Sequence, residues 1–272
     1  MGDRRAAAQA FPLPAGIDWR AVGDSDADSV ELKMLLAADG VPVPVEPSRR
    51  RGARRVYLLD TPDLAVCRAG VHLRVRRRGT RRDELVVRVR DCGRVNGRRG
   101  PREARVELDL LPGSLLRTTQ LRGVVDPATA AACLDDGAPL GDLLSDGQRR
   151  WLCSLLPDDV PEDVLDDLVL HGPLTTHRWR VPRAGFAVGR AFLEHCRYPS
   201  GRELRELSVK CRPPDAPRAA VALAGFLADH RIEPAAGHRT KTALWIEEIR
   251  GAADATDATD PDRPLGDRRH AS

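Results

Sequence analysis

The sequence has few aromatic residues and almost no net charge, and its cysteines show no motif spacing. Aromatic side chains make up 4% of its 272 residues, which argues against the stacking platforms that bind single-stranded nucleic acid. The net charge is only +4, from 44 basic and 40 acidic residues, so long-range attraction to DNA or to an anionic membrane should be weak. None of the six cysteines forms a C-x-x-C pair, and we expect neither a zinc ribbon nor a dithiol redox centre.

Segments for export or for membrane insertion are also missing. No N-terminal stretch resembles a signal peptide, and no apolar run is long enough to cross a bilayer. We therefore expect a reduced, cytoplasmic protein with no membrane partner. The apolar share of 42% is enough for a substantial core.

Lysine is nearly absent, although the chain is rich in basic residues. Only Lys33, Lys210 and Lys241 are lysines among the 44 basic residues. Because a mobile ammonium and a planar guanidinium are not interchangeable, the three positions that keep lysine are candidate functional positions.

Composition and periodicity divide the chain into two tails and one folded domain. Residues 1–27 and 251–272 lack a hydrophobic period, and we predict that both are disordered. The folded domain would then span 28–250. Helical patterns cover 127–170 and 215–230. Period-two alternation predicts strands at 29–36, 71–78, 84–90, 104–111, 176–181, 205–211 and, more weakly, 186–195. The mixture indicates an α+β protein with many antiparallel strands.

In most of these strands the polar member of the alternation is charged. Residues i and i+2 share one face of a strand, so the charges lie on one face and the apolar residues on the other. Two architectures fit this pattern. One is a sheet whose charged face meets water. The other is a closed barrel with an apolar exterior beneath helices and a charged lumen, which would need a bound anion and cation, such as polyphosphate with magnesium.

One stretch favours the second architecture. YLLDTPDLAVCRAGVHLRVR (57–76) resembles the signature of the CYTH domain, the triphosphate tunnel metalloenzyme family, in which an Asp-Thr-Pro turn precedes Leu-Arg-x-Arg. Shorter resemblances follow in family order at SVELK (29–33), RVELD (105–109), 170–181, ELSVK (206–210) and HRTK (238–241). All three lysines fall at motif positions.

The resemblance implies an eight-stranded antiparallel β-barrel, or triphosphate tunnel, with helices packed outside. It also implies hydrolysis of inorganic triphosphate, thiamine triphosphate or a nucleoside triphosphate with Mg²⁺ or Mn²⁺. The implied phosphate-binding residues are Lys33, Arg74, Arg76, Arg88, Arg90, Arg105, Arg178, Arg180, Lys210 and Lys241. The implied metal-binding residues are Glu31, Glu107, Asp109, Glu194 and Glu206, with Glu31 or Glu206 as the catalytic group that orients the attacking water.

Two departures from the family pattern keep other functions open. Ser29 and Ser208 stand where the family has acidic residues, and losing two carboxylates weakens a metal site. A non-catalytic module that binds polyphosphate or nucleotide is therefore one alternative, and a class IV-type adenylate cyclase is another. We expect a small-molecule triphosphate as the partner, no nucleic acid, and a monomer or homodimer.

Overall fold

In the computed structural model, the described residues are 17–38, 40, 42–46, 53–78, 81–92, 97, 100–158, 160–183, 186, 188–235 and 239–258. They belong to two compact units, residues 1–238 and 239–272. The first unit contains every described strand. The second contains one described helix, and each unit is treated by itself below.

The strands of the first unit close into a barrel. In chain order they are β1 (Ser29–Leu36), β2 (Arg54–Asp60), β3 (Val71–Arg78), β4 (Arg81–Cys92), β5 (Arg105–Leu111), β6 (Ser114–Val124), β7 (Val169–Arg180), β8 (Arg190–Arg197) and β9 (Glu203–Cys211). Around the barrel the order is β1-β5-β6-β4-β3-β2-β7-β8-β9, and β9 pairs again with β1.

This barrel corrects the expected count and pairing of strands. The described residues form nine strands rather than eight, and the barrel is mixed rather than fully antiparallel. An odd number of strands cannot alternate in direction around a closed ring, so at least one neighbouring pair must be parallel. That pair is β1 and β5. The strands β2 and β6 were not identified from periodicity.

Short helices and turns of helix accompany the barrel. In the first unit they are α1 (Trp19–Gly23), α2 (Ala65–Arg68), α3 (Pro127–Leu134), α4 (Asp146–Cys153) and α5 (Ala216–Asp229), with 3₁₀ turns at Leu140–Leu143, Glu162–Leu165 and Pro213–Asp215. The second unit contains α6 (Lys241–Ala258). The helical patterns read at 127–170 and 215–230 are thus confirmed. Within the described residues, no helix combines the length and the apolar character needed to cross a membrane.

Two of these helices extend beyond the predicted domain boundaries. α1 lies inside the segment 1–27 that was predicted to be disordered, and α6 continues past residue 250. The local cause of α1 is its N-cap, because the carboxylate of Asp18 accepts hydrogen bonds from the backbone N–H groups of Arg20 and Ala21, both at 3.0 Å. Residues 1–16 and 259–272 of the predicted tails lie outside the described ranges.

The apolar faces of the strands point outward, toward the helices. Val30, Leu32 and Val209 share one buried cluster with Leu223 and Phe226 of α5. A second cluster joins outward residues of β3 and β4 to α3 and α4; its members include Leu73, Val75, Leu85, Val87, Cys133, Trp151 and Leu152. Because the outer face carries the apolar core, the alternate, charged residues line the inside. Of the two architectures left open by the sequence, the closed barrel with a charged lumen is the one observed.

Candidate functional site

The Asp-Thr-Pro turn is structural, and it fixes the approach to the charged strand β3. Asp60 is fully buried, and its carboxylate accepts hydrogen bonds from the backbone N–H groups of Thr61 at 2.8 Å and of Val66 and Cys67 at 2.9 Å. These bonds satisfy free amides at the start of α2, which begins at Ala65. Gly70, at φ +79°, then reverses the chain into β3.

Three carboxylates meet inside the lumen where β1 lies beside β5. The parallel register places Ser29 beside Glu107 and Glu31 beside Asp109. One oxygen each of Glu31, Glu107 and Asp109 lies within 4.8 Å of the others. Glu107 and Asp109 are 5% and 1% exposed, so their charges need partners inside the barrel.

Cations from the lumen supply those partners. Lys33 Nζ lies 2.6 Å from Asp109 Oδ1 and 3.1 Å from Glu31 Oε2. Arg88 Nη2 donates to Asp109 Oδ2 at 2.8 Å, and Lys210 pairs with Glu107. Burial alone would raise the pKa of Asp109, but Lys33 and Arg88 lower it below its usual value. Burial likewise opposes the charge of Lys33, yet Asp109 and Glu31 raise its pKa. Asp109 and Lys33 are therefore both ionised at neutral pH.

Beside this network, β3 and β4 bring several guanidinium groups close together. Burial lowers the pKa of Arg74 well below its usual value, and the neighbouring charges of Arg88, Arg90 and Arg76 lower it further. Arg76 has an acidic neighbour, because its Nη1 donates to Glu84 Oε2 at 3.1 Å. An anion placed among these arginines would remove their mutual repulsion.

The comparisons with known proteins concern the fold. No protein-family model matches the chain, and no curated protein matches it. Among solved structures, an adenylyl cyclase candidate from Hippeastrum, described as having a dominant triphosphatase activity, aligns over 80% of this chain and 95% of its own with a TM-score of 0.56 and 15% identity. An adenylate cyclase candidate from Bacillus halodurans aligns over 80% of this chain and 97% of its own with a TM-score of 0.51 and 16% identity.

This chain has the tunnel fold of the CYTH domain. The closed barrel expected from the resemblance is thereby confirmed, apart from the strand count and the parallel pair of β1 and β5. Most of the residues implied by the CYTH resemblance lie on lumen-facing positions of the barrel, although they do not all meet.

The carboxylates implied as metal ligands fall into two groups. Glu31, Glu107 and Asp109 form the cluster described above. Glu194 and Glu206 lie opposite each other on β8 and β9 and are outside that cluster. Glu206 is 3% exposed. The roles assigned to these residues stay predictions.

The arginines on β7 and β5 occupy different depths of the CYTH tunnel. Arg178 Nε lies 3.5 Å from Glu194 Oε1, and its guanidinium carbon lies 3.8 Å from the centre of the Phe192 ring. Arg180 is closer to the rim, 3.9 Å from Glu46. The side chain of Arg105 is 71% exposed and pairs with Asp28 at 3.2 Å, so in this state it does not reach into the lumen.

One end of the tunnel opens into a basic cavity of about 810 Å³. Its lining includes Ser29, Arg178, Arg180, Arg183, Arg190, Lys210 and Arg212. Lys210 therefore lies between this opening and Glu107. Lys241 is the first residue of α6 in the second unit, and its role as a phosphate ligand stays a prediction.

Sequence reasoning missed the contribution of β6. Thr118 Oγ1 donates to Asp109 Oδ2 at 3.2 Å and lies 3.3 Å from Arg88 Nη2. Gln120 and Arg122 follow on the same face, and Arg122 donates to Gln120 at 3.2 Å. The alternation of Thr118, Gln120 and Arg122 was the signal available in the sequence.

The carboxylate cluster fits a divalent cation chemically. Carboxylate oxygens are the ligands that Mg²⁺ and Mn²⁺ prefer, and three of them are already within 4.8 Å of one another. Lys33 and Lys210 now contact these same carboxylates. An incoming ion would therefore displace ammonium contacts, and the freed ammonium groups would be available for phosphate oxygens.

Proposed function

We propose that this chain hydrolyses a triphosphate inside the tunnel with the help of a divalent metal ion. The observation that carries the proposal is the division of the lumen into two adjoining parts. One part crowds Arg74, Arg88 and Arg90 together, and the other gathers Glu31, Glu107 and Asp109. A metal–triphosphate complex has the same two-part charge pattern with the signs reversed.

The arginine part suits the phosphate chain. Guanidinium groups bind phosphoryl oxygens through charge-assisted hydrogen bonds, which are about twice as strong as neutral ones. Arg88 links the two parts, because it already bonds to Asp109. Phosphates held by Arg74 and Arg90 would thus lie next to the carboxylates.

The carboxylate part suits Mg²⁺ or Mn²⁺, held by Glu31, Glu107 and Asp109. When bound, such an ion neutralises charge on the phosphoryl oxygens and acts as a Lewis acid. The chain's own residues would position the phosphates and stabilise the charge that develops during transfer, which is most of what phosphoryl transfer requires.

A carboxylate must also orient the attacking water. Glu31 is the better placed of the two candidates, because it belongs to the cluster and its side chain is partly accessible from the lumen. Glu206 lies beside Glu194 on β9, the strand that pairs with β1, and remains the second candidate. The triphosphatase activity described for the Hippeastrum protein supports the reaction class.

Phosphate release tests this proposal directly. The purified protein would be incubated with tripolyphosphate, thiamine triphosphate and ATP, each with Mg²⁺, with Mn²⁺ and with EDTA. We expect metal-dependent release from at least one substrate. Glu107→Gln should abolish it, whereas Glu203→Gln, at an exposed position on β9, should not. No turnover with either metal would contradict the proposal, and cyclic AMP formed from ATP would support cyclase activity instead.

A binding module without turnover is the second candidate, favoured by Ser29. This residue lies beside Glu107, and its Oγ donates to Glu107 Oε2 at 3.3 Å, so a hydroxyl occupies a position where another carboxylate would complete the cluster. Ser208 is 2% exposed and is the register partner of Lys33 on the adjacent strand β9. Calorimetry that finds tight tripolyphosphate binding without hydrolysis, together with activity gained by Ser29→Glu, would select this candidate.

A further inference from the structure

His72 is a buried imidazole in the lumen that the proposed hydrolysis does not use. It lies on β3, on the same face as Arg74, and its register partner on β4 is Arg88. Only 8% of the residue is exposed. Its neighbour Leu73 points outward into the apolar cluster, so the imidazole points inward.

One ring nitrogen of His72 lacks a hydrogen-bond partner. Nδ1 is fully buried, and no group among the described residues bonds to it. Buried polar atoms are nearly always paired, so an orphaned one inside a cavity calls for a partner that binds there. The imidazole also lies close to the cations Arg74, Arg88 and Arg90.

His72 lies among cationic side chains from β3 and from the neighbouring strand β4. Burial lowers the pKa of His72 to about 2, and the charges of Arg74, Arg90 and Arg88 contribute in that order, while a hydrogen bond with the backbone of Arg88 opposes them only in part. The carboxylate at the adjacent end of β2 is Asp60, whose oxygens accept from backbone amides of the turn. The free tunnel therefore holds His72 as neutral imidazole.

We propose that His72 is a further ligand of the phosphate chain, and that it takes up one proton from solvent when the chain binds. This inference rests on the proposed function, because it requires an anion among Arg74, Arg88 and Arg90. Triphosphate brings more negative charge than these arginines need for neutralisation, so the local field changes sign. The proton adds to Nδ1, which then donates a hydrogen bond to a phosphate oxygen, and it returns to solvent when the product leaves.

Proton uptake links affinity to pH. If one proton binds with the ligand, the affinity of wild type for tripolyphosphate rises up to tenfold for each pH unit of acidification between the free and bound pKa values of His72. Tripolyphosphate itself also titrates near neutrality. The contribution of His72 is therefore the difference between wild type and His72→Asn, whose amide keeps a polar atom near the position of Nδ1.

The test uses the full chain with tripolyphosphate and EDTA, so that binding is observed without turnover. The His72 ring resonance, assigned by its loss in His72→Asn, would be followed by NMR from pH 5 to 8. We expect the neutral form throughout in the free protein and the protonated form in the complex at pH 6. Calorimetry in buffers of different ionisation enthalpy should show up to one more proton taken up by wild type than by His72→Asn. His230→Gln removes an exposed imidazole on the outside of the barrel and should leave uptake unchanged.

The outcomes separate this inference from the proposed function. If the His72 ring stays neutral in the saturated complex, or is already protonated in the free protein, the role of His72 is overturned and the hydrolase proposal is left intact. Failure of tripolyphosphate to bind at all overturns both. The NMR result decides the matter even if His72→Asn folds poorly, because it is measured on wild type.

Discussion

The exchange Asp109→Asn changes the charge balance of the lumen while keeping its shape. Asp109 is 1% exposed, and its two oxygens contact Lys33 at 2.6 Å and Arg88 at 2.8 Å. An amide would leave both cations facing a neutral group. Removing one partner from a buried ion pair costs about 3–5 kcal/mol, so we expect the free energy of unfolding to fall by about this amount at pH 7.

The same exchange should strengthen the response to an anion. In Asp109→Asn, Lys33 and Arg88 lose a competing carboxylate and can turn to phosphate oxygens. A ligand at 100 times its Kd stabilises a protein by about 2.7 kcal/mol. Tripolyphosphate with EDTA should therefore recover much of the lost stability, and its effect on Tm should be larger than in wild type.

Urea and thermal unfolding, with and without tripolyphosphate, measure both effects. Glu203→Gln is the matched control, since its side chain is 55% exposed and pairs with His195 outside the cluster. The folded pKa of Asp109 lies below the ordinary value of an aspartate, about 3.9, so the advantage of wild type is complete above that pH and is lost as pH falls through the folded pKa. Equal stabilities of wild type and Asp109→Asn at pH 7, or a tripolyphosphate effect no larger than in wild type, would refute the reasoning.

Three further predictions address the arginine group, the turn and the buried imidazole. Arg74→Ala should weaken tripolyphosphate binding about 10- to 100-fold by calorimetry, as expected for the loss of charge-assisted hydrogen bonds; Arg82→Ala, at an exposed position on β4, should leave binding unchanged. Asp60→Ala leaves three backbone N–H groups without their acceptor and should lower the free energy of unfolding by about 3 kcal/mol or more in urea titrations. Asp63→Ala, at a side chain 64% exposed, should lower it clearly less. Because the pKa of His72 falls from 6.5 to about 2 on folding, the unfolded chain binds the additional proton, so wild type should lose up to about 1.4 kcal/mol per pH unit relative to His72→Gln as pH falls below about 6.5. The same change in the free energy of unfolding for both proteins from pH 7 to pH 5 would contradict this.

The separation of a charged and an apolar face on the strands could be predicted from the sequence, because it rests on period two alone. Wherever Arg, Lys and Glu alternate with Val and Leu, one face must be charged, as in β3 with Arg74 and Arg76. The helical pattern at 215–230 supplied the apolar partner for the other face. The resemblance at 57–76 then selected the closed barrel.

The carboxylate cluster could not be predicted in the same way. Glu31 and Asp109 are neighbours only because β1 runs parallel to β5. An odd strand count requires a parallel pair, but it does not determine which strands form it. β6 escaped detection because it breaks the charge alternation on both faces. Leu116 lies on the lumen side, and Arg117 lies on the outside, where it is fully buried and bonded to Asp26 at 2.7 Å.

Alternation also predicts which face of a strand a residue lies on, but not how far along the barrel axis its side chain lies. Arg105 lies on the lumen side of β5 by parity, yet it is the first residue of the strand and therefore reaches the rim, where it pairs with Asp28. Arg180, the last residue of β7, is displaced toward Glu46 for the same reason. Residues at strand ends therefore belong to the opening, whatever their parity.

The pairing of β1 with β9 joins the first strand of the barrel to the last, with Val30 opposite Cys211 and Leu36 opposite Arg205. During translation, the lumen must stay open to water until the segment containing β9 has left the ribosome. Contacts so distant in sequence slow folding and prolong exposure of unpaired strand edges. A nascent chain that stops before Glu203 would hold nearly all of the arginines and carboxylates of this site and still have no tunnel.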